Sequence, residues 1–270
     1  MADRLVTAGV YGRIVGSRLR SQLAYRVSFA LDLVAQAIGQ GIELFAIAVV
    51  FTQISSLGGF TGGEVLLIFG LAACGFGVAD LCVGAVERLP EYIRTGEFDV
   101  MLLRPLGTLA QLVCADIALK RLGRVLVGLA VYLWSLARLD LPWTPLRVLV
   151  AVIAPLIGAA IMGALFVAAN AVSFWVVDGR EMANVLTYGS SFTTSYPITV
   201  YGPQLRRLMC YVVPGAFVAY FPVLALLDRP DPLGLPVGLR YAGPLVALLA
   251  VAVAAAIWRL GVRRYQGTGS

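Results

Sequence analysis

The sequence has no histidine, a single lysine among its 21 basic residues, and four cysteines. The absence of histidine excludes zinc sites with histidine ligands and histidine-based catalytic triads. The residues before Lys120, VCADIAL, lack the glycines that cradle phosphate in a Walker A loop, so the chain cannot hydrolyse ATP by that route. The cysteines show no CxxC spacing and are expected to be small core residues. No catalytic residue, metal site or cofactor is therefore predicted within this chain.

Charge is also scarce. Charged residues make up 13% of the chain and hydrophobic residues 60%, whereas soluble domains carry about 25% charged residues. This composition predicts an all-α polytopic membrane protein that forms one transmembrane domain over residues 1–270. The chain has room for about six spans of roughly 20 residues each. The net charge of +6 is attributed to loops at the anionic cytoplasmic surface of the lipid bilayer, and no nucleic-acid binding is expected.

The first 26 residues alternate between apolar and basic positions. Val6, Val10 and Ile14 recur every four residues, and arginines fall largely between the apolar rows. This pattern predicts a basic amphipathic helix over residues 1–26 that lies on the cytoplasmic face of the membrane. The alternative is a plain leader next to the first span.

Six stretches are predicted to cross the membrane as helices. They cover residues 27–51, 64–86, 123–139, 146–177, 182–202 and 239–260. Arginines cluster before the first stretch and after the last one. Because basic residues tend to stay on the cytoplasmic side, both termini are predicted to be cytoplasmic.

The region before the last span allows two topologies. Pro214 and Pro222 interrupt the apolar stretch 208–227, and proline removes a helical hydrogen bond and clashes with the preceding turn. We therefore predict that 182–202 is the fifth span and that 203–230 forms an external re-entrant hairpin between spans five and six. The rival topology makes 182–207 cytoplasmic and 208–227 the span. Both give six spans and cytoplasmic termini.

Polar residues form a stripe along the first predicted span. The stripe comprises Ser28, Asp32, Gln36, Gln40 and Glu43, with spacings of three or four that place them on one helical face. A carboxylate at membrane depth costs about 2.5–3.5 kcal/mol on insertion scales, so this face should meet protein or water. We interpret it as a wall of a translocation path or a subunit interface; a buried packing seam without substrate contact is the alternative. Ser191 and Thr194 of the fifth span are the predicted second wall.

A charged segment, residues 87–105, separates two long apolar runs. It carries Glu87, Arg88, Glu91, Arg94, Glu97, Asp99 and Arg104. Such a density of charge excludes it from lipid. The pattern predicts a short helix over 88–95, a break at Thr95-Gly96, and a second short segment that ends before Pro105. A solvated loop is the alternative.

The run YIRTGEFDVMLLRPL within this segment strongly resembles the intracellular signature of ABC-2-type transporter permeases, in which it has the form I-R-x-G-[ED]-[FL]-D-x-x-L-L-R-P-L. A second, less specific resemblance precedes the last span. It rests on Tyr196-Pro197, Tyr201, Leu205-Arg206, Val213-Pro214, Phe217, Tyr220 and Pro222. Gly202-Pro203 departs from the family pattern, which usually has a proline–aromatic pair there. The resemblance extends over essentially the whole chain.

This resemblance implies a six-span permease of a bacterial exporter in the plasma membrane, without enzymatic activity of its own. It implies a homodimer or a heterodimer with a second permease, docked on separate ATP-binding-cassette subunits that hold ATP and Mg²⁺. By carry-over, the residues that contact the ATPase or brace the contacting loop, called the coupling helix, are Glu91, Tyr92, Arg94, Glu97, Phe98, Asp99 and Arg104. An amphiphilic or polar substrate is expected. The alternative function is a proton-coupled carrier or a membrane-embedded enzyme that uses Asp32 and Glu43.

Overall fold

The computed structural model describes residues 26–116, 118–176 and 179–266. Within these ranges the regular structure is helical, and the β pairing is limited to one isolated bridge between Leu57 and Phe60. The predicted all-α class is therefore confirmed. The amphipathic helix predicted over 1–26 lies outside the described residues, except for its last position.

The α-helices of the described ranges are numbered in chain order. They are α1 (Arg26–Gln53), α2 (Gly62–Val83), α3 (Leu89–Arg94), α4 (Glu97–Leu102), α5 (Thr108–Ala115), α6 (Leu122–Arg138), α7 (Pro145–Ala171), α8 (Arg180–Thr194), α9 (Pro203–Arg207), α10 (Tyr220–Leu227) and α11 (Gly243–Arg264). A π-helical turn, Leu208–Val212, directly follows α9.

Among these residues, four helical stretches are long and apolar enough to cross a membrane. They are Phe29–Gln53, Gly62–Arg94, Pro145–Phe174 and Gly243–Arg264, and they coincide with the first, second, fourth and sixth predicted spans. α6 and α8 contain 17 and 15 residues, which is fewer than the roughly 20 needed to cross the hydrocarbon core as a straight helix. The pair Pro203–Val212 and Gly215–Leu227 is apolar as well but bends by 72°. The chain is thus a multi-pass membrane protein by the length and composition of its helices.

α2 forms the centre of the bundle, where it packs between α6 and α7. In its apolar window 78% of the residues are buried, compared with 11% in α1. Glycines permit the close packing. A Cβ atom on Gly70 would lie 2.5 Å from the backbone nitrogen of Tyr132 in α6, and one on Gly75 would lie 3.1 Å from the carbonyl carbon of Gly158 in α7. Larger side chains at these two positions would force the helices apart.

The hairpin segment, residues 203–230, begins and ends beside the loop that joins α1 and α2. Before it, the Thr199 hydroxyl donates a hydrogen bond to the carbonyl oxygen of Gly58 at 2.7 Å. Near its end, Arg229 Nη2 donates to the carbonyl oxygen of Gly59 at 2.9 Å. Between these ends, the chain approaches the middle of α7, where a Cβ atom on Gly158 would lie 3.2 Å from Cγ1 of Val218. Both ends of the segment therefore lie beside the α1–α2 loop, and its bend lies deeper in the bundle.

Candidate functional site

The charged segment 87–105 folds into two short helices joined at a glycine, and we call it the elbow. α3 ends at Arg94 and α4 begins at Glu97. Gly96 between them has φ +74°, a left-handed conformation that glycine adopts without steric cost. The Glu91 carbonyl oxygen closes α3 by accepting hydrogen bonds from the Thr95 amide and hydroxyl. The predicted break at Thr95-Gly96 is thus confirmed.

Two aromatic side chains fix the elbow to the membrane helices. Phe98 is fully buried, and its ring centroid lies 5.3 Å from that of Phe174 and 5.1 Å from that of Tyr265. Phe174 follows α7, and Tyr265 follows α11. Tyr92 is also buried, with the Arg88 guanidinium 5.4 Å above its ring. The elbow is therefore packed directly against the ends of α7 and α11.

The other predicted contact residues of the elbow point outward to different degrees. Glu91, Arg94, Glu97 and Arg104 are exposed, whereas Asp99 is half-buried. Burial raises the pKa of Tyr265 to about 12, and the neighbouring Asp99 carboxylate adds to this shift. The apolar Leu103 is 85% exposed beside these charges. A surface that combines charged and exposed apolar side chains is typical of a protein-binding site.

An ion-pair network connects the start of the elbow to the start of α6. Arg121 Nε lies 3.2 Å from Oδ1 of Asp80, and Arg121 Nη2 lies 3.7 Å from Oε2 of Glu87. Arg121 Nη1 also donates to the Asp80 carbonyl oxygen at 2.8 Å. A Cβ atom at Gly84 would collide with the Arg121 guanidinium and with Oδ1 of Asp80, so a larger residue here would displace this ion pair. The network links α2, the elbow and α6 on one side of the bundle.

The polar stripe of α1 divides between surface and interior. Asp32 and Gln36 are exposed, Gln40 is buried and Glu43 is half-buried. Gln36 also lies over α6, because a Cβ atom on Gly123 would be 2.9 Å from its Cβ. The inner part of the stripe therefore faces protein, as its polarity predicted, while Asp32 remains on the surface.

Arg124 of α6 connects the two predicted walls. Its Nη2 donates a hydrogen bond to Oγ of Ser191 at 2.9 Å, and it interacts electrostatically with Glu43. The guanidinium lies 4.0 Å from the centroid of the Phe76 ring, which gives a cation–π contact. We call Gln40, Glu43, Arg124 and Ser191 the polar seam. Thr194 adjoins it, since its buried hydroxyl donates to the Ser191 carbonyl oxygen at 2.9 Å.

Two atoms of the polar seam are buried without a hydrogen-bond partner among the described residues. They are Oε1 of Gln40 and Nε of Arg124. Buried polar groups normally have partners, so the seam has the capacity to bind a further polar group or water. The sequence patterns did not single out Arg124, which lies near the start of the third predicted span. Its position two residues inside an apolar helix was the available signal.

Chemistry that requires a metal finds no support in this part of the molecule. Within the ranges 26–116, 118–176 and 179–266, no group of three or more acidic residues or cysteines could hold a metal ion. The cysteines are free thiols: Cys74 is buried, and Cys82 is exposed. The candidate site thus consists of an exposed elbow, an ion-pair network at its base and a polar seam in the interior.

Comparison with known proteins identifies a matching family. A family model described as ABC-2 family transporter protein matches residues 37–269, which include every predicted site residue except Ser28, Asp32 and Gln36. The comparison with curated proteins finds no match, and neither does the comparison with solved structures.

Proposed function

The chain belongs to the ABC-2 transporter family, and on this basis we propose that it is the membrane subunit of an exporter driven by separate ATP-hydrolysing subunits. Members of this family are transport membrane subunits and not catalysts. The observation that carries the finer proposal is the elbow, whose outer face is charged and exposed while its buried rings Tyr92 and Phe98 hold it against the bundle. The ATP-hydrolysing subunits would hold ATP and Mg²⁺, and the whole complex would lie at a bacterial plasma membrane.

The proposed topology has six crossings. α6 runs antiparallel to α2: Cβ atoms on Gly63 and Gly77 would lie 3.1 Å from Leu139 and 3.0 Å from Val125, respectively. Residues 180–199 also extend from one end of the bundle to the other, because Arg180 interacts electrostatically with Glu87 whereas Thr199 bonds to Gly58. These contacts support 182–202 as the fifth crossing, completed by the short turn Ile198–Val200, and they oppose the rival topology.

The same contacts support the re-entrant role of 203–230 and cytoplasmic termini. Phe98 of the elbow touches Tyr265, directly after the last helix, so the end of α11 shares a side with the elbow. A cysteine placed at Gln204, an exposed position, should react with a membrane-impermeant maleimide added to intact cells. Labelling only after the cells are permeabilised would overturn this topology.

In the proposed mechanism, closure of the ATPase subunits moves the elbow. Glu91, Arg94, Glu97 and Arg104 would meet the ATPase, with Tyr92, Phe98 and Asp99 bracing the loop. The Arg121 network then carries the motion into α6, which also bears Arg124 of the polar seam. Such coupling requires different contacts in two states of the complex. An amphiphilic or polar substrate would pass the seam, whose polar atoms lie among apolar helices.

A second permease copy or a paralogue would complete the translocation path. α1 carries an exposed apolar surface, with Leu31 66% and Phe45 70% exposed. On the same helix, Asp32 and Gln36 are exposed at membrane depth, where isolated polar groups are costly in lipid. Contact with another subunit would satisfy them, which supports a homodimer or heterodimer.

Charge reversal at Glu97 tests the coupling proposal. When the affinity-tagged permease is purified from its native membranes, the ATPase subunits should co-purify with it. The purified complex should then hydrolyse ATP, and vanadate should inhibit this activity. Glu97→Lys should remove that activity, whereas Glu181→Lys, an exposed acid at the start of α8, should leave it unchanged. If both variants co-purified with undiminished ATP hydrolysis and supported transport, the proposed role of the elbow would fail.

The carrier alternative receives less support from the arrangement of carboxylates. Asp32 and Glu43 are separated by eleven residues of helix, or about 16 Å along its axis, and Glu43 interacts with Arg124. Two carboxylates this far apart do not share one proton-binding site. Asp32→Asn combined with Glu43→Gln would abolish the drive of a proton-coupled carrier. In an ATP-driven transporter it would change affinity or assembly instead.

A further inference from the structure

An apolar cavity lies between α7, α11 and the bend of the hairpin segment. Its volume is about 440 Å³, within the range of about 300–1,000 Å³ that is usual for ligand pockets. Its walls include Ile161, Leu165, Cys210, Phe217, Val246 and Ala250. Leu249 of α11 also lines the cavity and is 58% exposed, so the cavity opens at the outer surface of the bundle, where lipid would lie.

A smaller cavity of about 270 Å³ adjoins the first. The two share Cys210, Tyr211 and Leu235, so they form neighbouring compartments of one recess. The smaller one differs in chemistry because Arg206 and Arg207 line it. The recess therefore has an apolar compartment toward the bend of the hairpin segment and a cationic one at the start of that segment.

The cationic compartment has unused positive charge. Arg206 is held in place, because its Nε and Nη2 donate to the carbonyl oxygens of Tyr201 and Thr199. Arg207 is exposed, and in the part of the chain that the structure describes it makes no ion pair. The nearby acid, Asp231, is buried and accepts hydrogen bonds from the Tyr220 hydroxyl at 2.6 Å and the Leu233 amide at 3.0 Å. Two arginines thus line the smaller cavity, and the residues that line it with them include no carboxylate.

We propose that this recess binds an anionic phospholipid from the leaflet on the side of the α1–α2 loop. One acyl chain fills the apolar cavity and wedges between α7 and α11, and the phosphate lies against Arg207 with Arg206 beside it. The combination selects this occupant: an apolar cavity open to the bilayer suits an acyl chain, and free arginine charge suits a phosphate. The bound chain would support the bend between Val212 and Gly215, where the two helical pieces meet at 72°.

Native mass spectrometry of the purified full-length chain provides the test. Palmitoyl-oleoyl phosphatidylglycerol should bind on the order of tenfold more tightly than the phosphatidylcholine with identical chains, because the choline cation of the latter offsets its phosphate and is repelled by the two arginines. Arg207→Gln should remove this preference, and because Arg207 is exposed the variant should fold normally. Arg259→Gln, which removes an exposed arginine near the opposite end of α11, is the matched control and should preserve the preference.

A second pair of variants tests the acyl-chain compartment. Ala250→Phe fills the cavity and should lower the affinity for both lipids by at least tenfold, whereas Ala252→Phe on the exposed face of α11 should not. Equal binding of the two lipids by the unmodified chain, or an unchanged preference in Arg207→Gln, would overturn the proposal. Displacement of the lipid by glycerol phosphate alone would also overturn it, because the recess would then hold a soluble anion. The same is true if Ala250→Phe loses a dimer but still binds lipid, because the recess would then hold a second copy of the chain.

Discussion

The two ends of the helical bundle use their charged residues differently. At the hairpin end, Arg229 Nη1 lies 2.8 Å from Oε1 of the buried Glu64, and Asp231 is buried against Tyr220. At the elbow end, Arg94, Glu97 and Arg104 are exposed, and the described residues offer them no ion pair. Glu64, Arg229 and Asp231 are thus paired within the chain, whereas Arg94, Glu97 and Arg104 remain available to a second protein.

This difference separates stability from function along the molecule. Removing one partner of a buried pair leaves an uncompensated charge and costs several kcal/mol, whereas an exposed charge contributes little. The outer part of the elbow is held by the buried rings of Tyr92 and Phe98, and the Arg121 network holds its start. Substitutions at the two ends should therefore affect different measurements.

The largest loss of stability is expected where the elbow packs against the ends of α7 and α11. Phe98→Ala removes a fully buried ring that contacts Phe174 and Tyr265, and such truncations cost about 3–5 kcal/mol. Unfolding of the purified protein in mixed detergent micelles should report this cost. Phe192→Ala, at an exposed aromatic of α8, is the control. Equal unfolding of both variants would show that the rings do not anchor the elbow.

A somewhat smaller loss is expected at the hairpin end, from the ion pair of the buried Glu64 with the partly exposed Arg229. Glu64 accepts two hydrogen bonds from Arg229 and one, at 2.7 Å, from the amide of Thr61 at the start of α2. Glu64→Ala removes all three and should lower the free energy of unfolding by about 2–3 kcal/mol. Asp228→Asn removes an exposed partner, paired to Arg147 at 2.7 Å, and should cost less than about 1 kcal/mol. Similar costs for the two variants would remove the distinction between buried and exposed pairs.

A third change alters one hydrogen bond within the hairpin end. Tyr220→Phe deletes the hydroxyl that donates to Asp231 at 2.6 Å but keeps the ring, which contacts Phe60. Asp231 retains the Leu233 amide, so the loss should be about 1–2 kcal/mol. The same unfolding measurement checks it, and double substitution with Asp231→Asn should be less than additive because the two residues share the bond. Additive losses would mean that this bond contributes nothing.

Local patterns in the sequence predicted much of this arrangement. Apolar runs located four long helices, and the Thr95-Gly96 pair located the break in the elbow, because glycine adopts the left-handed conformation needed there. The prolines at 214 and 222 indicated an interrupted helix, and the structure bends by 72° in that region. The six-span count stays a prediction, since α6 and α8 are shorter than ordinary spans.

Contacts between distant parts of the chain were beyond such patterns. Arg124 and Ser191 are 67 residues apart, and Glu64 and Arg229 are 165 apart. The sequence shows that each of these residues is polar, but only the packing of distant segments against one another determines which pairs meet. The polar stripe predicted that Gln40 and Glu43 face protein, yet Arg124, which interacts with Glu43, lies on another helix. Pairing specificity is thus a property of the fold and not of any one segment.

The smallest effect on stability, and a large one on function, is expected at the exposed elbow. Arg94→Glu should change the free energy of unfolding by less than about 0.5 kcal/mol, as is usual for surface positions. The substituted charge would repel the complementary surface of the ATPase subunit and weaken its binding to the permease by at least about 1.4 kcal/mol. The ATP hydrolysis that co-purifies with the permease should therefore fall at least tenfold. Arg138→Glu, which changes an exposed arginine at the other end of α6, should leave ATP hydrolysis unchanged. A destabilised Arg94→Glu protein, or one with full ATP hydrolysis, would mean that the elbow charges serve the fold as the hairpin charges do.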